Sequence, residues 1–242
     1  MGESASARRL TARSRPQAYL LLARFSNLPT IWTNVLAGTM VSGARFIAAD
    51  YAGLCLAISA FYTAGMFLND AFDREFDARS RPDRPIPAGD VTARETFAIG
   101  WALLAAGLAL VAARGRMNAF VWSILLAAAI VMYNSRHKHN PFGPIVMGVC
   151  RGLVYCIAAA ASGTVTTTVI VAASALTAYV ITLTWIAKRV GASAGWLIPI
   201  LIAGISVVDA VVVAASGGGP LVWLALAGFP ATLLMQRIVP GT

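Results

Sequence analysis

The sequence predicts an all-α protein, a multi-pass transmembrane helical bundle of about eight helices. Of its 242 residues, 58% are hydrophobic and only 12% are charged, and the mean hydropathy is +0.73. A soluble domain of this length could not bury so much apolar surface. The apolar residues also form long runs, and a membrane-crossing helix needs roughly 17 to 25 such residues. We therefore expect an integral membrane protein.

Eight apolar runs meet this requirement, at residues 20–43, 51–72, 93–113, 117–134, 143–162, 166–188, 196–215 and 219–237. The connections between them are short, which favours one compact bundle over two domains. Residues 19–242 are accordingly predicted to form a single transmembrane domain. Residues 1–18 carry several arginines and are expected to be a mobile, basic cytoplasmic tail, since no cleavage site follows a short hydrophobic core.

The formal net charge of +9 indicates topology rather than a nucleic-acid partner, because the basic residues are dispersed between apolar runs and form no single patch. If the N-terminus is inside, nearly all lysines and arginines fall on the cytoplasmic side, whereas Arg45, Arg114 and Arg116 fall outside. This predicts a cell inner-membrane protein with a cytoplasmic N-terminus, surrounded by membrane lipid. The three cysteines form no C-x-x-C pair, so neither a disulfide framework nor a zinc site is predicted.

The first apolar run contains polar residues, which at membrane depth usually face the bundle or a cavity. Arg24, Asn27, Pro29 and Asn34 lie within R-F-S-N-L-P-T-I-W-T-N. For Asn34 the sequence leaves two interpretations open. It either makes a hydrogen bond to another helix, as is common for asparagine in membranes, or it lines a ligand cavity.

The most informative stretch is N-D-A-F-D-R-E-F-D at residues 69–77, in a region that holds most of the ten acidic residues. If it continues the preceding helix, at about 100° per residue Asp70, Asp73 and Asp77 share one face. Like charges at that spacing repel, and a divalent cation would relieve the repulsion. Oxygen-only ligands suit Mg²⁺, which takes one or two carboxylates together with substrate phosphate oxygens. The alternative is a solvated acidic helix end with arginine partners.

The loop that follows reads R-S-R-P-D-R-P-I-P and combines three prolines with Arg79, Arg81 and Arg84. The prolines stiffen the loop and prevent it from extending the helix. Guanidinium groups match phosphate oxygens in bidentate fashion, so the loop could cover a bound diphosphate. It could equally be an ordinary loop on the positive side of the membrane.

A second polar loop, at residues 132–141, contains Tyr133, Lys138 and Asn140, which are candidates for contacts with a substrate. Its two histidines, His137 and His139, are too few for a metal site without carboxylates.

Two charged residues lie inside later apolar runs and need partners there. Arg151 lies about two turns into the fifth run and is expected to face Asp70, Asp73 or a phosphate. Asp209, in the seventh run, is expected to pair with an unidentified helix donor rather than to take part in catalysis.

The pattern N-D-x-x-D-x-x-x-D at residues 69–77, followed by R-P-I-P-x-G, resembles the first Asp-rich motif of the UbiA superfamily of intramembrane prenyltransferases. The R-x-x-x-x-P pattern of the first run and the Y-N-S-R-H-K segment extend the resemblance over most of the chain. It implies a helical bundle around a central cavity open to the cytoplasmic side, and Mg²⁺ bound by the Asp-rich motif. The implied reaction transfers a prenyl group from a prenyl diphosphate to an unidentified acceptor.

On this resemblance, Asn69, Asp70, Asp73 and Asp77 would hold Mg²⁺, and Lys138 would act with the three aspartates in catalysis. The residues expected to contact the substrate are Asn34, Asn69, Arg81, Arg84, Tyr133, Asn140, Arg151, Lys188 and Arg189. The aromatic side chains expected at the cavity are Phe72, Tyr133 and Trp185.

Two departures from the family pattern affect the expected function. The family usually carries a second Asp-rich motif after its sixth helix, where this chain reads T-W-I-A-K-R-V-G-A-S-A-G without a carboxylate. Lys188 and Arg189 of this segment either replace a second metal with fixed positive charge or only anchor the helix at the membrane surface. The family also commonly has nine helices, and the chain resembles a diverged, EboC-like branch. The alternative function is a protein of the same fold that binds or transports a lipid phosphate without transforming it.

Overall fold

The computed structural model describes residues 13–136, 142–190 and 195–239, and the regular secondary structure in these ranges is helical. The predicted all-α fold is therefore confirmed. Most of the predicted tail lies outside the described residues, as do Lys138 and Asn140. The helices are α1 (Arg15–Ala23), α2 (Leu28–Val41), α3 (Ala48–Ser80), α4 (Ala93–Ala112), α5 (Met117–Arg136), α6 (Gly143–Ser162), α7 (Thr167–Val190), α8 (Leu197–Ala203), α9 (Ile205–Ala215) and α10 (Leu221–Gln236).

Six of the predicted runs form helices that are long and apolar enough to cross a membrane. They are α3 to α7 and the segment Leu197–Ala215, in which α8 and α9 follow one another across Gly204. The last run forms α10, which has only 16 residues. At about 1.5 Å per residue it is roughly 24 Å long, somewhat less than the hydrocarbon core of roughly 30 Å. The protein is thus an integral, multi-pass membrane protein.

The first run does not form the single span predicted for residues 20–43, because the helix breaks at Arg24. Arg24 ends α1 with a φ of 43°, and within the described ranges it is the one non-glycine residue with a positive φ. A left-handed backbone costs roughly 1 to 2 kcal/mol for a residue with a Cβ, so surrounding contacts must hold it. After a short 3₁₀ turn, Phe25–Asn27, Pro29 lies in the first turn of α2, where its fixed φ suits a new helix.

Helix α3 is longer than the apolar run 51–72 that predicted it, because it continues through the acidic stretch to Ser80. It ends where Arg81 precedes Pro82, since proline disfavours helical backbone in the residue before it. The acidic stretch is therefore part of a helix, which is the condition for its aspartates to share one face.

Helix α2 lies at the centre of the bundle, with nearly all of its side chains buried. It packs against α3, α6, α9 and α10. Its close approach to α6 depends on Gly38, because a Cβ at that position would lie only 2.8 Å from the Cα atom of Tyr155. Val35 and Leu36 of α2 join the two apolar clusters on either side of it. The break at Arg24 thus lies one short turn before the central helix.

Candidate metal and phosphate site

One face of α3 carries four polar side chains near the C-terminal end of the helix. Asn69, Asp70, Asp73 and Asp77 are 7%, 7%, 8% and 2% exposed. A carboxylate buried to this extent needs a cation or hydrogen-bond donors, because an isolated charge away from water is very costly. The structure must therefore bring positive groups to this face.

Two arginines provide the positive charge. The Nη1 atom of Arg84 lies 3.1 Å from a carboxylate oxygen of Asp70 and 3.1 Å from one of Asp77. The Nη2 atom of Arg24 lies 3.4 Å from Asp70 and 3.4 Å from the amide oxygen of Asn69. The sequence predicts Arg84 at this site but not Arg24, although the spacing of Arg24 from the following proline was a signal for it.

The loop after α3 folds back over the acidic face because its own backbone closes it. The amide of Asp90 donates to the carbonyl of Pro85 over 3.0 Å. Gly89 lies between them with a φ of 82°, a conformation in which glycine escapes the steric penalty of a Cβ. Ile86 packs against the buried apolar side of α1. These anchors hold Arg84 above the carboxylates.

Charged contacts tie α1 to the same region. The Nη2 atom of Arg15 lies 2.9 Å from a carboxylate oxygen of Glu95 in the first turn of α4, and Arg13 lies 3.5 Å from Asp90. The hydroxyl of Tyr19 donates a hydrogen bond to Glu95, and this carboxylate partner raises the pKa of the Tyr19 hydroxyl. Exposed ion pairs of this kind each contribute little to stability, but together they fix α1 against the loop.

The acidic face and its arginines enclose a cavity of about 270 Å³. Of the predicted substrate contacts, the structure brings Arg81, Arg84, Asn69 and Tyr133 together with the aspartates. The lining residues are Arg24, Asn69, Asp73, Phe76, Asp77, Arg81, Arg84 and Tyr133. Carboxylates and guanidinium groups around one cavity are suited to a phosphate that arrives with a metal ion, because the carboxylates hold the metal and the guanidinium groups hold the phosphate oxygens.

The donor set fits Mg²⁺ in its chemistry, since Asn69, Asp73 and Asp77 offer only oxygen ligands to the cavity. Within the part of the chain that the structure describes, no three Asp, Glu, His or Cys side chains converge into a ready-made metal cage. Mg²⁺ does not require one, because it usually binds through one or two carboxylates plus water and substrate phosphates. Arg84, which is shared by Asp70 and Asp77, would then exchange a carboxylate partner for a phosphate oxygen.

Two predicted substrate contacts lie deeper in the bundle. Asn34 is fully buried and makes hydrogen bonds to other helices, as the first of its two interpretations expects. Arg151 does not face Asp70 or Asp73 as expected. Its Nη1 atom donates to the amide oxygen of Asn34 over 2.8 Å and to the hydroxyl of Thr30 over 3.1 Å. The reason is that α6 packs against α7, α5 and α2 and makes only slight contact with α3, which carries the aspartates.

Lys188 and Arg189, at the end of α7, are exposed and are not among the described residues that line the cavity. The guanidinium of Arg189 lies over the ring of Trp185, 3.9 Å from its centroid. Trp185 is itself 53% exposed. The structure therefore does not bring this group to the acidic face.

The aromatic wall of the cavity also differs from the expected one. Phe72 packs edge-on against Phe97 of α4, with ring centroids 5.0 Å apart. Phe76, one turn further along α3, lines the cavity together with Tyr133. Phe72 contacts α4 because α3 packs extensively against that helix.

The sequence predicts that Asp209 pairs with a donor on another helix, and the structure shows three side chains that donate hydrogen bonds to it. Asp209 is fully buried and accepts hydrogen bonds from the hydroxyls of Thr33 and Tyr155. The amide nitrogen of Asn34 donates to both of its carboxylate oxygens, over 2.9 and 2.8 Å. The expected pairing of Asp209 within the bundle is therefore confirmed.

The sequence of the chain is similar to sequences of known proteins. The curated relatives include digeranylgeranylglyceryl phosphate synthases. That of Methanopyrus kandleri is 33% identical over 148 residues, which is 60% of this chain and 53% of the relative. That of Ignicoccus hospitalis is 35% identical over 129 residues, or 53% of this chain and 42% of the relative. The chain thus spans about half the length of the curated relatives it matches.

Solved structures of UbiA homologs share the fold. The homolog from Archaeoglobus fulgidus, bound to DMAPP and Mg²⁺, has a TM-score of 0.60 at 16% identity, covering 91% of this chain and 86% of that one. The homolog from Aeropyrum pernix K1 has a TM-score of 0.59 at 19% identity, covering 90% of this chain and 95% of that one. The sequence model of the UbiA prenyltransferase family matches residues 27–239, from the turn before α2 through α10. The chain therefore belongs to the UbiA prenyltransferase family.

Proposed function

We propose that the protein is a Mg²⁺-dependent intramembrane prenyltransferase, which moves a prenyl group from a prenyl diphosphate to an acceptor. The observation that supports this most directly is the shared cavity, in which Asp73 and Asp77 lie with Arg81 and Arg84. A prenyl diphosphate has an apolar chain suited to the membrane and a head group that needs both metal ligands and cations. The names of the curated relatives and the DMAPP and Mg²⁺ bound to a structural neighbour agree with this class of substrate.

Asn69, Asp70, Asp73 and Asp77 would hold the metal ion, whose charge would stabilise the departing pyrophosphate. The remaining charge stabilisation comes from the arginines. Arg24 and Arg84 already converge on Asp70, within 3.4 and 3.1 Å of the same oxygen atom. Their donors are therefore fixed in place before the substrate arrives, which is the arrangement that best stabilises charge developing on a leaving group.

The reaction breaks the bond between the first carbon of the prenyl group and the diphosphate oxygen. The electron pair leaves with pyrophosphate, and a nucleophilic atom of the acceptor forms the new bond and releases its proton. Phe76 and Tyr133 line the cavity beside the charged groups. Their rings would exclude water from the reacting carbon and present their faces to the positive charge that develops there.

The cavity is proposed to open to the cytoplasm. The loop that contains Arg81 and Arg84 belongs to the side of the membrane with most of the basic residues, and the N-terminus lies on that side as well. The protein would then reside in the cell inner membrane and take its diphosphate from the cytoplasmic face.

A second candidate function is binding or transport of a lipid phosphate without chemistry. One specific observation favours it: the end of α7 offers Lys188 and Arg189 in place of carboxylates, and both are exposed. A protein with half of the usual metal ligands could retain a diphosphate without ionising it.

Pyrophosphate release tests the two candidates against each other. The purified protein in lipid nanodiscs would be incubated with Mg²⁺, prenyl diphosphates of several lengths and acceptors that include an isoprenyl glyceryl phosphate. The prenyltransferase is expected to release pyrophosphate with at least one pair, and Asp70→Asn is expected to reduce the rate to background. Saturable binding of the diphosphate without release for any pair would favour the binding protein instead.

A further inference from the structure

A buried carboxylate lies where α2, α6 and α9 meet, and it is not among the residues that line the cavity on α3. Asp209 is fully buried, and its two oxygens accept hydrogen bonds from Thr33, Asn34 and Tyr155. A carboxylate at membrane depth is costly and is usually retained because it has a role. Its hydrogen bonds satisfy its oxygens but leave its charge to be balanced.

The balancing cation is Arg151, and a single side chain joins the two. The amide nitrogen of Asn34 donates to both oxygens of Asp209 over 2.9 and 2.8 Å. Its amide oxygen accepts from Nη1 of Arg151 over 2.8 Å. Because Asp209 can only accept hydrogen bonds, it fixes the amide with its nitrogen towards α9 and its oxygen towards Arg151. The orientation of Asn34 therefore depends on the carboxylate.

Only one nitrogen of the Arg151 guanidinium group donates hydrogen bonds to the protein within the described ranges. Both of its hydrogen bonds, to Asn34 and Thr30, come from Nη1, so Nη2 and Nε have no partner within the described ranges. The sealed side-chain polar atoms that lack a partner there are Oγ of Ser26, Oδ1 of Asn134 and Oε1 of Gln236. The unused nitrogens of Arg151 are not among these sealed atoms, and Arg151 is partly exposed, so this edge of the guanidinium group is not completely enclosed by protein.

The unused edge lies one side chain away from the acidic cavity. The guanidinium of Arg151 is 5.9 Å from the centroid of the Tyr62 ring. The Tyr62 hydroxyl donates to the carbonyl of Arg24 over 3.4 Å, and Arg24 lines the cavity. A planar guanidinium with two free donors on one edge is suited to an oxyanion, which it binds in bidentate fashion.

We propose that Asp209 is a positioning residue, which holds Arg151 through Asn34 so that the free guanidinium edge binds an oxyanion of the substrate. The proposal rests on the proposed function, since it requires a phosphate-bearing ligand in this bundle. The oxyanion belongs either to the diphosphate of the donor or to an anionic head group of the acceptor. A network that only stabilises the bundle would affect folding but not affinity for either ligand.

Variants that remove the carboxylate from position 209, or move it to position 34, distinguish positioning of Arg151 from stabilisation of the bundle. In Asp209→Asn, the new amide group can donate to Asn34, whose side chain then turns its oxygen towards α9 and its nitrogen towards Arg151. Two donors would face each other, and Arg151 would lose its anchor. In the double variant Asn34→Asp with Asp209→Asn, the new carboxylate at position 34 accepts from both neighbours, so the anchor is restored with the total charge unchanged.

The experiment measures affinity and thermal stability for five forms of the full chain in nanodiscs. They are the wild type, Arg151→Gln, Asp209→Asn, the double variant, and Thr33→Val as a matched control that removes a different hydrogen bond to Asp209. The probes are geranyl diphosphate with Mg²⁺, for the donor, and dodecyl phosphate, for an anionic acceptor. Loss of a charge-assisted contact is expected to weaken one of the two ligands by about 10- to 100-fold in Arg151→Gln and Asp209→Asn.

The double variant is expected to recover most of that affinity, and Thr33→Val is expected to lower stability without changing affinity. The ligand that responds identifies the source of the oxyanion. Affinities for both ligands that stay within about twofold of the wild type in Arg151→Gln would overturn the proposal, and this variant serves even if Asp209→Asn fails to fold. Failure of the double variant to recover would overturn the positioning role of Asp209. Either failure leaves the proposed prenyl transfer standing if the wild type still releases pyrophosphate.

Discussion

The Nη1 atom of Arg84 lies 3.1 Å from a carboxylate oxygen of Asp70. The two residues belong to different elements, the loop after α3 and α3 itself, so this contact joins the loop to the acidic face. The same nitrogen is also 3.1 Å from Asp77. One guanidinium group therefore contacts two carboxylates, and in the proposed function it would bind phosphate once a metal ion occupies the carboxylates.

Replacing Arg84 should weaken binding of a prenyl diphosphate. We expect Arg84→Gln to cost roughly 1.5 to 3 kcal/mol of binding, or about 10- to 100-fold in affinity, because a charge-assisted contact to phosphate is lost. The matched control is Arg79→Gln, which removes an exposed arginine from the last turn of α3, just before the loop that carries Arg84. Titration calorimetry with geranyl diphosphate and Mg²⁺ measures both. Equal losses in the two variants would show that only the overall positive charge matters.

Lys188 and Arg189 should not contribute to diphosphate binding. Both are exposed at the end of α7, and Arg189 stacks on the exposed ring of Trp185. We expect Lys188→Gln and Arg189→Gln to leave affinity within about twofold, as for cations that only anchor a helix at the membrane surface. The measurement is diphosphate affinity across a Mg²⁺ titration. A tenfold loss in either variant at low Mg²⁺ would instead support fixed charge in place of a second metal.

Gly89 should matter for the site in a way that Gly43 does not. Both glycines have positive φ, 82° and 74°, and a Cβ would meet nothing within 4 Å at either. Alanine at either position should therefore cost roughly 1 to 2 kcal/mol of stability through backbone strain alone. Only Gly89→Ala should also weaken diphosphate binding, because it distorts the loop that carries Arg84. Thermal unfolding and binding measured on the two variants test this, and equal affinities would contradict it.

The orientation in the membrane is a separate prediction. From the distribution of lysine and arginine, we expect a reporter fused after Gly89 to be cytoplasmic and a reporter fused after Gly163 to be external. The measurement uses two reporter enzymes fused at each position, one that is active only in the cytoplasm and one that is active only outside it. The reverse result at either position would move the cavity to the other side of the membrane.

The sequence predicts the apolar helices and the acidic face because both depend on local pattern. Long apolar runs can cross a membrane only as helices, since backbone groups have no other partners there. The aspartates of residues 69–77 share a face because α3 continues to Ser80. The assignment to an EboC-like branch depends on finer features and stays a prediction.

The break at Arg24 and the partners of Arg151 could not be predicted in the same way. A left-handed arginine is unfavourable locally and is held by contacts with Asn69 and Asp70, which lie on another helix. Arg151 reaches Asn34 rather than an aspartate because glycine at position 38 lets α2 and α6 approach closely. Both features depend on the packing of distant segments, which periodicity along one segment does not encode.

The most direct test of the proposed site is Mg²⁺-dependent binding of geranyl diphosphate to the wild type, Asp73→Ala and Glu75→Ala. Asp73 is buried on the acidic face and lines the cavity, whereas Glu75, two residues away on the same helix, has a side chain that is 78% exposed. We expect affinity for the wild type to rise with Mg²⁺, Asp73→Ala to lose this dependence, and Glu75→Ala to retain it. Undiminished Mg²⁺-dependent binding by Asp73→Ala would contradict a metal and diphosphate site on this face of α3.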